Sequence, residues 1–89
     1  MISRNVTIIN RLGLHASAAT RLVNCASDFV SEIIVKKGTR AVNGKSIMGV
    51  LTLAAATGTD LTIEADGADE QQALNAVIKL ICNRFGEDE

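Results

Sequence analysis

Apolar residues recur along the 89-residue chain at spacings that change from one segment to the next. Residues 6–9 form a strand-like apolar run, and the turn-prone residues 10–13 end it. From position 16 to position 26 the apolar residues return every three or four positions, which is the spacing of one helical face. This pattern predicts a first helix whose buried face contains Ala16, Ala19, Leu22, Val23 and Ala26. Its solvent side is expected to contain Thr20, Arg21 and Asn24.

The middle of the chain is predicted to contain a hairpin and a short second helix. Residues 32–36 and 40–43 are strand-like, and the loop between them contains Gly38, as a tight hairpin requires. An Asn-Gly turn follows the second strand. Ser46 comes directly before the apolar stretch 47–51, so we expect Ser46 to be the N-cap residue of a short helix.

The last third of the chain is predicted to form one strand and one long helix. Residues 61–65 alternate strictly between apolar and polar, which indicates a strand with one buried face. Asp69, with Gln72 three residues later, suggests a capping box at the start of the final helix. Gly86 is expected to end that helix, which leaves residues 87–89 as a solvated tail. The apolar stripe of the helix comprises Leu74, Val77, Ile78, Ile81 and Phe85.

The predicted element order is therefore βαββαβα. Because the helices are amphipathic and the strands alternate, the economical packing places the helices on one face of a four-stranded sheet. The fold class is α+β. We expect a single domain over residues 1–89, since a chain of this length forms only one core.

Composition excludes several classes of function. The net charge is −1, with two Phe and no Tyr or Trp, so the chain offers neither a basic patch nor stacking side chains for nucleic acid. No apolar run has the length of a signal peptide or a membrane span, so we expect no membrane insertion. One histidine and two distant cysteines predict no metal site, and no motif indicates a cofactor or a hydrolase. Cys25 and Cys82 are interpreted as buried thiols in a reducing cytoplasm.

The single histidine, His15, lies between the first strand and the first helix. At the start of a helix the backbone N–H groups have no helical partners, so the N–H groups of Ala16, Ser17 and Ala18 would favour an anion beside the imidazole. Imidazole also has an uncharged nitrogen near neutral pH that can attack phosphorus. The alternative is that His15 is only a turn residue that precedes a helix.

Ser46 is the second residue with possible chemistry. As an N-cap it would contribute about 1 kcal/mol to stability, and phosphorylation would add roughly −1.5 to −2 charges there. Such a change suits a regulatory switch. Ile47, Met48 and Leu51 cannot all face the core from so short a helix, so we expect part of this group to form an exposed docking patch. The alternative is ordinary core packing.

Two motifs and the element order together resemble a known family. Gly13-Leu14-His15-Ala16, Lys45-Ser46-Ile47-Met48-Gly49 and the chain length are similar to HPr, the histidine-containing phosphocarrier family of the bacterial phosphotransferase system. The resemblance covers essentially the whole chain. It implies an open-faced β-sandwich, in which a four-stranded antiparallel sheet is covered on one face by three helices.

The resemblance also implies a function, that of a carrier and not of an enzyme. Enzyme I, charged by phosphoenolpyruvate, would transfer a phosphoryl group to Nδ1 of His15, and His15 would pass it to an enzyme IIA domain. In family members with a regulatory branch, HPr kinase/phosphorylase modifies the serine that matches Ser46. The resemblance assigns the docking of these partners to the surface around Lys45 and to the patch of Ile47, Met48 and Leu51. It implies a monomer in the cytoplasm.

One departure from the family pattern concerns the phosphate itself. The family usually has an arginine two residues after the histidine, where this chain has Ser17, and a proline where it has Ala18. A hydroxyl donates one hydrogen bond but has no positive charge. Arg21, one helical turn later, is a candidate to replace that arginine in part.

Three interpretations are therefore open. The first is a phosphocarrier that acts through His15, either in sugar uptake or in a regulatory relay that ends in partner binding. The second is a binding module switched by phosphorylation of Ser46, with transfer through His15 slowed by Ser17. The third is an adaptor that shares the fold alone.

Overall fold

The computed structural model describes residues 1–89, which form one four-stranded antiparallel sheet and three α-helices. The elements in chain order are β1 (Ile2–Thr7), α1 (Ala16–Ser27), β2 (Glu32–Lys37), β3 (Arg40–Asn43), α2 (Ile47–Thr52), β4 (Asp60–Asp66) and α3 (Glu70–Cys82). Their order in the sheet is β1-β4-β2-β3, and every neighbouring pair is antiparallel. The predicted element order and the open-faced α+β architecture are confirmed.

The two faces of the sheet differ as the alternation in β4 predicts. The apolar residues Leu61, Ile63 and Ala65 are buried, and they belong to a core of 21 buried residues that the helices share with the sheet. The opposite face is polar: Lys36 Nζ donates to Glu64 Oε2 at 2.7 Å. Side chains that alternate along a strand must point to opposite faces, so one strand supplies both surfaces.

The first strand begins earlier than predicted. A first strand is confirmed, but the expected bounds of 6–9 are wrong, because β1 spans Ile2–Thr7 and pairs along its length with β4, from Ile2 opposite Ala65 to Thr7 opposite Asp60. The polar residues 3–5 do not prevent pairing, since the backbone makes the ladder bonds and one face of this sheet is exposed. Ile8 follows the strand and is fully buried.

The C-terminal residues differ most from the prediction. Helix α3 ends at Cys82 rather than continuing to Gly86, and a short 3₁₀ turn follows at Arg84–Gly86. Arg84 and Phe85 have φ angles of +56° and +54°, and the Phe85 side chain is fully buried. The solvated tail is wrong in part, because the carboxylate of Glu87 is hydrogen-bonded, whereas Asp88 and Glu89 are exposed as predicted. We call residues 84–89 the C-terminal strap.

The predicted capping box at the start of α3 is wrong too. Asp69 occupies the N-cap position, but its side chain makes no cap hydrogen bond. Its carboxylate instead accepts hydrogen bonds from the Ser31 hydroxyl (2.5 Å) and from the backbone N–H groups of Ser31 and Val30 (both 3.0 Å). These bonds, led by the Ser31 hydroxyl, lower the pKa of Asp69. Asp69 thus connects α3 to the segment before β2.

The exposed side of α1 agrees with the prediction, whereas its buried face begins at Ala18 because Ala16 is exposed. The cysteine prediction is wrong in part. Cys82, the last residue of α3, is exposed, and Cys25 is half-buried, which raises the pKa of its thiol. None of the helices combines the length and the apolar character needed to cross a membrane.

Substitution of Gly13 by alanine should destabilise the fold more than the same change at Gly38. Both glycines have positive φ, +65° and +59°, so both variants carry the strain of that backbone conformation. Only at Gly13 would the new Cβ collide with the backbone, lying 2.7 Å from the carbonyl oxygen of Ala55, whereas nothing lies within 4 Å at Gly38. Urea denaturation should show an additional loss of about 1–3 kcal/mol for Gly13→Ala. Equal losses would contradict this packing constraint.

Candidate functional site

The loop before α1 is fixed by backbone and side-chain hydrogen bonds. The N–H of Leu14 donates to the carbonyl oxygen of Ala55 at 2.8 Å, which joins this loop to the segment after α2. Asn10 is fully buried, and its Nδ2 donates to the carbonyl oxygen of Gly13 at 2.7 Å. These hydrogen bonds fix the position and direction of the backbone where it enters His15.

His15 is the N-cap residue of α1. Its backbone is extended, with φ −76° and ψ 178°, and its side chain makes no capping hydrogen bond. The first helical hydrogen bond runs from the N–H of Ala19 to the carbonyl oxygen of His15. The N–H groups of the three intervening residues therefore have no partner within the helix, as predicted for Ala16, Ser17 and Ala18.

The two nitrogens of the His15 ring have different surroundings. Nε2 lies 2.5 Å from Oε2 of Glu87, and because an ionised carboxylate only accepts hydrogen bonds, Nε2 must carry the proton. Nδ1 makes no hydrogen bond with the protein, so in the neutral form of the ring its lone pair is free. The His15 side chain is 30% exposed, so the ring is accessible from solvent.

Glu87 is a residue of this site that the sequence did not reveal. Its Oε1 accepts a hydrogen bond from Asn10 Nδ2 at 3.0 Å, and its side chain is only 19% exposed. The hydrogen bonds from Asn10 and His15, followed by the charges of His15 and Arg21, lower the pKa of Glu87. No local pattern predicts a contact between residues 72 positions apart. The only related signal in the sequence was Gly86, which was expected to end the final helix.

Arg21 is placed differently from the expectation. Its Nη1 donates to the backbone carbonyl of Phe85 in the C-terminal strap, so the guanidinium is bound to the strap. Gly86 provides the space for this contact, since a Cβ there would lie 2.9 Å from Nη1 of Arg21. This contact holds the guanidinium of Arg21 on the same strap as the carboxylate that is hydrogen-bonded to His15.

Ser46 caps α2 as predicted. Its Oγ accepts a hydrogen bond from the N–H of Gly49 at 3.1 Å. The apolar residues after it divide between solvent and core: Ile47 is 36% and Met48 68% exposed, while Leu51 is half-buried against the core. Lys45 is half-buried, and its Nζ donates to the carbonyl oxygen of Phe29 at 2.6 Å.

The surface around His15 contains no enclosed cavity. The one cleft in the structure is open, has a volume of about 320 Å³ and is lined by Arg11, Leu12 and residues 87–89. No three His, Cys, Asp or Glu side chains lie close enough together to bind a metal ion. The chemically distinctive feature is thus an accessible imidazole with one free nitrogen.

Comparison with known proteins identifies the family. Residues 2–83 match the family model described as the PTS HPr component phosphorylation site. The chain is 52% identical to the phosphocarrier protein HPr of Cupriavidus necator and 51% identical to that of Neisseria meningitidis serogroup A, each over 89 residues and the full length of both chains. The crystal structure of HPr-C-His from Thermoanaerobacter tengcongensis superimposes with a TM-score of 0.96 at 40% identity, covering both chains completely. The chain belongs to the HPr family of phosphocarrier proteins of the phosphotransferase system.

Proposed function

We propose that this chain accepts a phosphoryl group from enzyme I on Nδ1 of His15 and passes it to an enzyme IIA domain. The observation that carries the proposal is the geometry of the ring. Nε2 is hydrogen-bonded to Glu87, whereas Nδ1 has a free lone pair. The ring belongs to the N-cap residue of α1. A nucleophile must present such a lone pair to phosphorus.

The start of α1 is suited to accept a phosphoryl group but not to bind it strongly. The unpartnered N–H groups of Ala16, Ser17 and Ala18 and the helix dipole favour a negative charge by about 0.3–1 kcal/mol at an exposed position. A carrier must also release its group to the next protein. Because Ser17 adds no positive charge, we expect slower transfer than in relatives with an arginine at this position.

The surroundings of the site are suited to contact with other proteins. The imidazole is accessible and no enclosed pocket selects a small molecule. Ile47 and Met48 lie at the start of α2, which packs beside α1, and their exposed apolar surface would bind a partner protein. Lys45, Arg21 and the exposed part of Leu51 complete the proposed docking surface.

Phosphorylation of Ser46 is a second candidate function, as a switch of partner binding. It is favoured by the position of the hydroxyl beside the exposed Ile47 and Met48. HPr kinase/phosphorylase is the proposed modifying enzyme. A phosphate here would weaken the binding of an acidic partner to the surface around Lys45, because like charges repel across an interface.

The carrier proposal predicts one acid-labile phosphate on His15. Incubation with enzyme I and phosphoenolpyruvate should increase the intact mass by a single phosphoryl group, because only Nδ1 of His15 presents a free imidazole lone pair. Brief acid treatment should reverse the increase, and His15→Ala should show none. If an arginine-containing relative is charged under conditions that leave this chain unmodified, the Ser46 module becomes the better explanation.

The cap at Ser46 predicts a graded series of stabilities. Ser46→Ala should lower the free energy of unfolding by about 1 kcal/mol, because the N–H of Gly49 loses its acceptor. Ser46→Asp should stay close to the parent protein, since aspartate is an equally good N-cap and its charge resembles part of that of a phosphate. Chemical denaturation would measure both. An Asp variant as unstable as the Ala variant would show that the site does not tolerate negative charge.

A further inference from the structure

The C-terminal strap is held at the histidine site by contacts that do not involve Glu87. The Phe85 side chain is fully buried, and its carbonyl oxygen accepts a hydrogen bond from Arg21. At the end of the strap, the carbonyl oxygen of Glu89 accepts a hydrogen bond from the N–H of Arg11 at 2.8 Å. The strap therefore has anchors on both sides of Glu87, and the Glu87 carboxylate is available for another role.

Asn10 provides an independent sign that the position of this carboxylate is specified. Its side chain is fully buried, and its Nδ2 donates both to the loop at Gly13 and to Oε1 of Glu87. Its Oδ1 is buried without a hydrogen-bond partner. A buried amide with an unsatisfied oxygen is unfavourable, and both hydrogens of Nδ2 offset that cost, one at the Gly13 carbonyl and the other at Glu87. Asn10 fixes one oxygen of Glu87 and leaves the other directed at His15.

We propose that Glu87 is a positioning residue for phosphoryl transfer: its carboxylate holds the His15 ring with the proton on Nε2 and the lone pair of Nδ1 free. This inference rests on the proposed carrier function. A carboxylate that accepts a hydrogen bond from one ring nitrogen determines which nitrogen is the nucleophile. The shared donor Asn10 keeps the carboxylate and the loop before His15 in one arrangement.

The carboxylate also has a role while the bond to phosphorus forms. The lone pair of Nδ1 forms a bond to phosphorus as the bond between phosphorus and its donor breaks, and that electron pair leaves with the donor. The ring then holds a proton on Nε2 and a substituent on Nδ1, so it is positively charged. Glu87 stabilises this charge through the same hydrogen bond. In onward transfer the electron pair returns to Nδ1, and the ring becomes neutral again.

The experiment compares Glu87→Ala with Glu89→Ala in the full-length chain. Both variants remove one carboxylate from the strap, but Glu89 contacts only Arg11, and that ion pair is largely exposed. We expect Glu87→Ala to slow single-turnover charging by enzyme I by about tenfold or more, a common effect of removing the partner of a functional histidine. Glu89→Ala should be charged at close to the parental rate. Glu87→Asp should recover part of the rate.

Nitrogen NMR of the His15 ring supplies a measurement that a merely structural role would not change. In the parent protein the spectrum should show a protonated Nε2 and an unprotonated Nδ1, and in Glu87→Ala a mixture of the two neutral tautomers. Equal charging rates for the parent and Glu87→Ala, or an unchanged tautomer in the variant, would overturn the positioning role. Equal slowing in Glu89→Ala would also overturn it, because the strap as a whole would then be responsible. A parent protein that is never charged on His15 would instead reject the carrier function itself.

Discussion

The close backbone approach between Gly13 and Ala55 is the constraint on which the functional site depends. It leaves no room for a Cβ at position 13, and it allows the N–H of Leu14 to donate to the carbonyl oxygen of Ala55 in the segment after α2. Leu14 is consequently buried in the core while His15, one residue later, remains partly exposed at the start of α1. A small shift here would change the direction of the imidazole and the helix together. Packing of the core at Leu14 and exposure of the His15 imidazole thus depend on the same backbone contact.

Without an arginine at position 17, the electrostatics around Nδ1 rely on the backbone. The guanidinium of Arg21 is bound to the carbonyl oxygen of Phe85 and so supports the strap. A phosphoryl group on Nδ1 would then be stabilised mainly by amide dipoles, a contribution of about 0.3–1 kcal/mol. Each 1.4 kcal/mol of additional stabilisation would lower the equilibrium constant for release of the phosphoryl group by roughly a factor of ten. Weak stabilisation is therefore compatible with a relay, in which acceptance and release both have to be favourable.

Local periodicity predicted the parts of the fold that local physics controls. Residues 61–65 alternate between apolar and polar because one face of β4 is buried in the core and the other is not. Ser46 could be predicted as a cap because its hydroxyl accepts a hydrogen bond from the helix that directly follows it. The errors lie where distant residues decide the structure. Asp69 bonds to Ser31 instead of capping its own helix, and Glu87 bonds to His15, 72 positions away. The sequence therefore pointed to His15, the proposed phosphoryl acceptor, but it could not reveal the carboxylate that contacts it.

His15 and Ser46 are both N-cap residues, but only the side chain of Ser46 makes a capping hydrogen bond. The Ser46 hydroxyl already accepts a hydrogen bond from Gly49, so a phosphate there would act on an atom that stabilises the fold. The oxygens of the phosphate are stronger hydrogen-bond acceptors than the hydroxyl, so the hydrogen bond that caps α2 can persist while the surface charge changes. The His15 ring makes no capping hydrogen bond, so a phosphoryl group on Nδ1 would break no helix contact. Within the proposed function, these differences suit His15 to rapid exchange and Ser46 to a lasting change in partner binding.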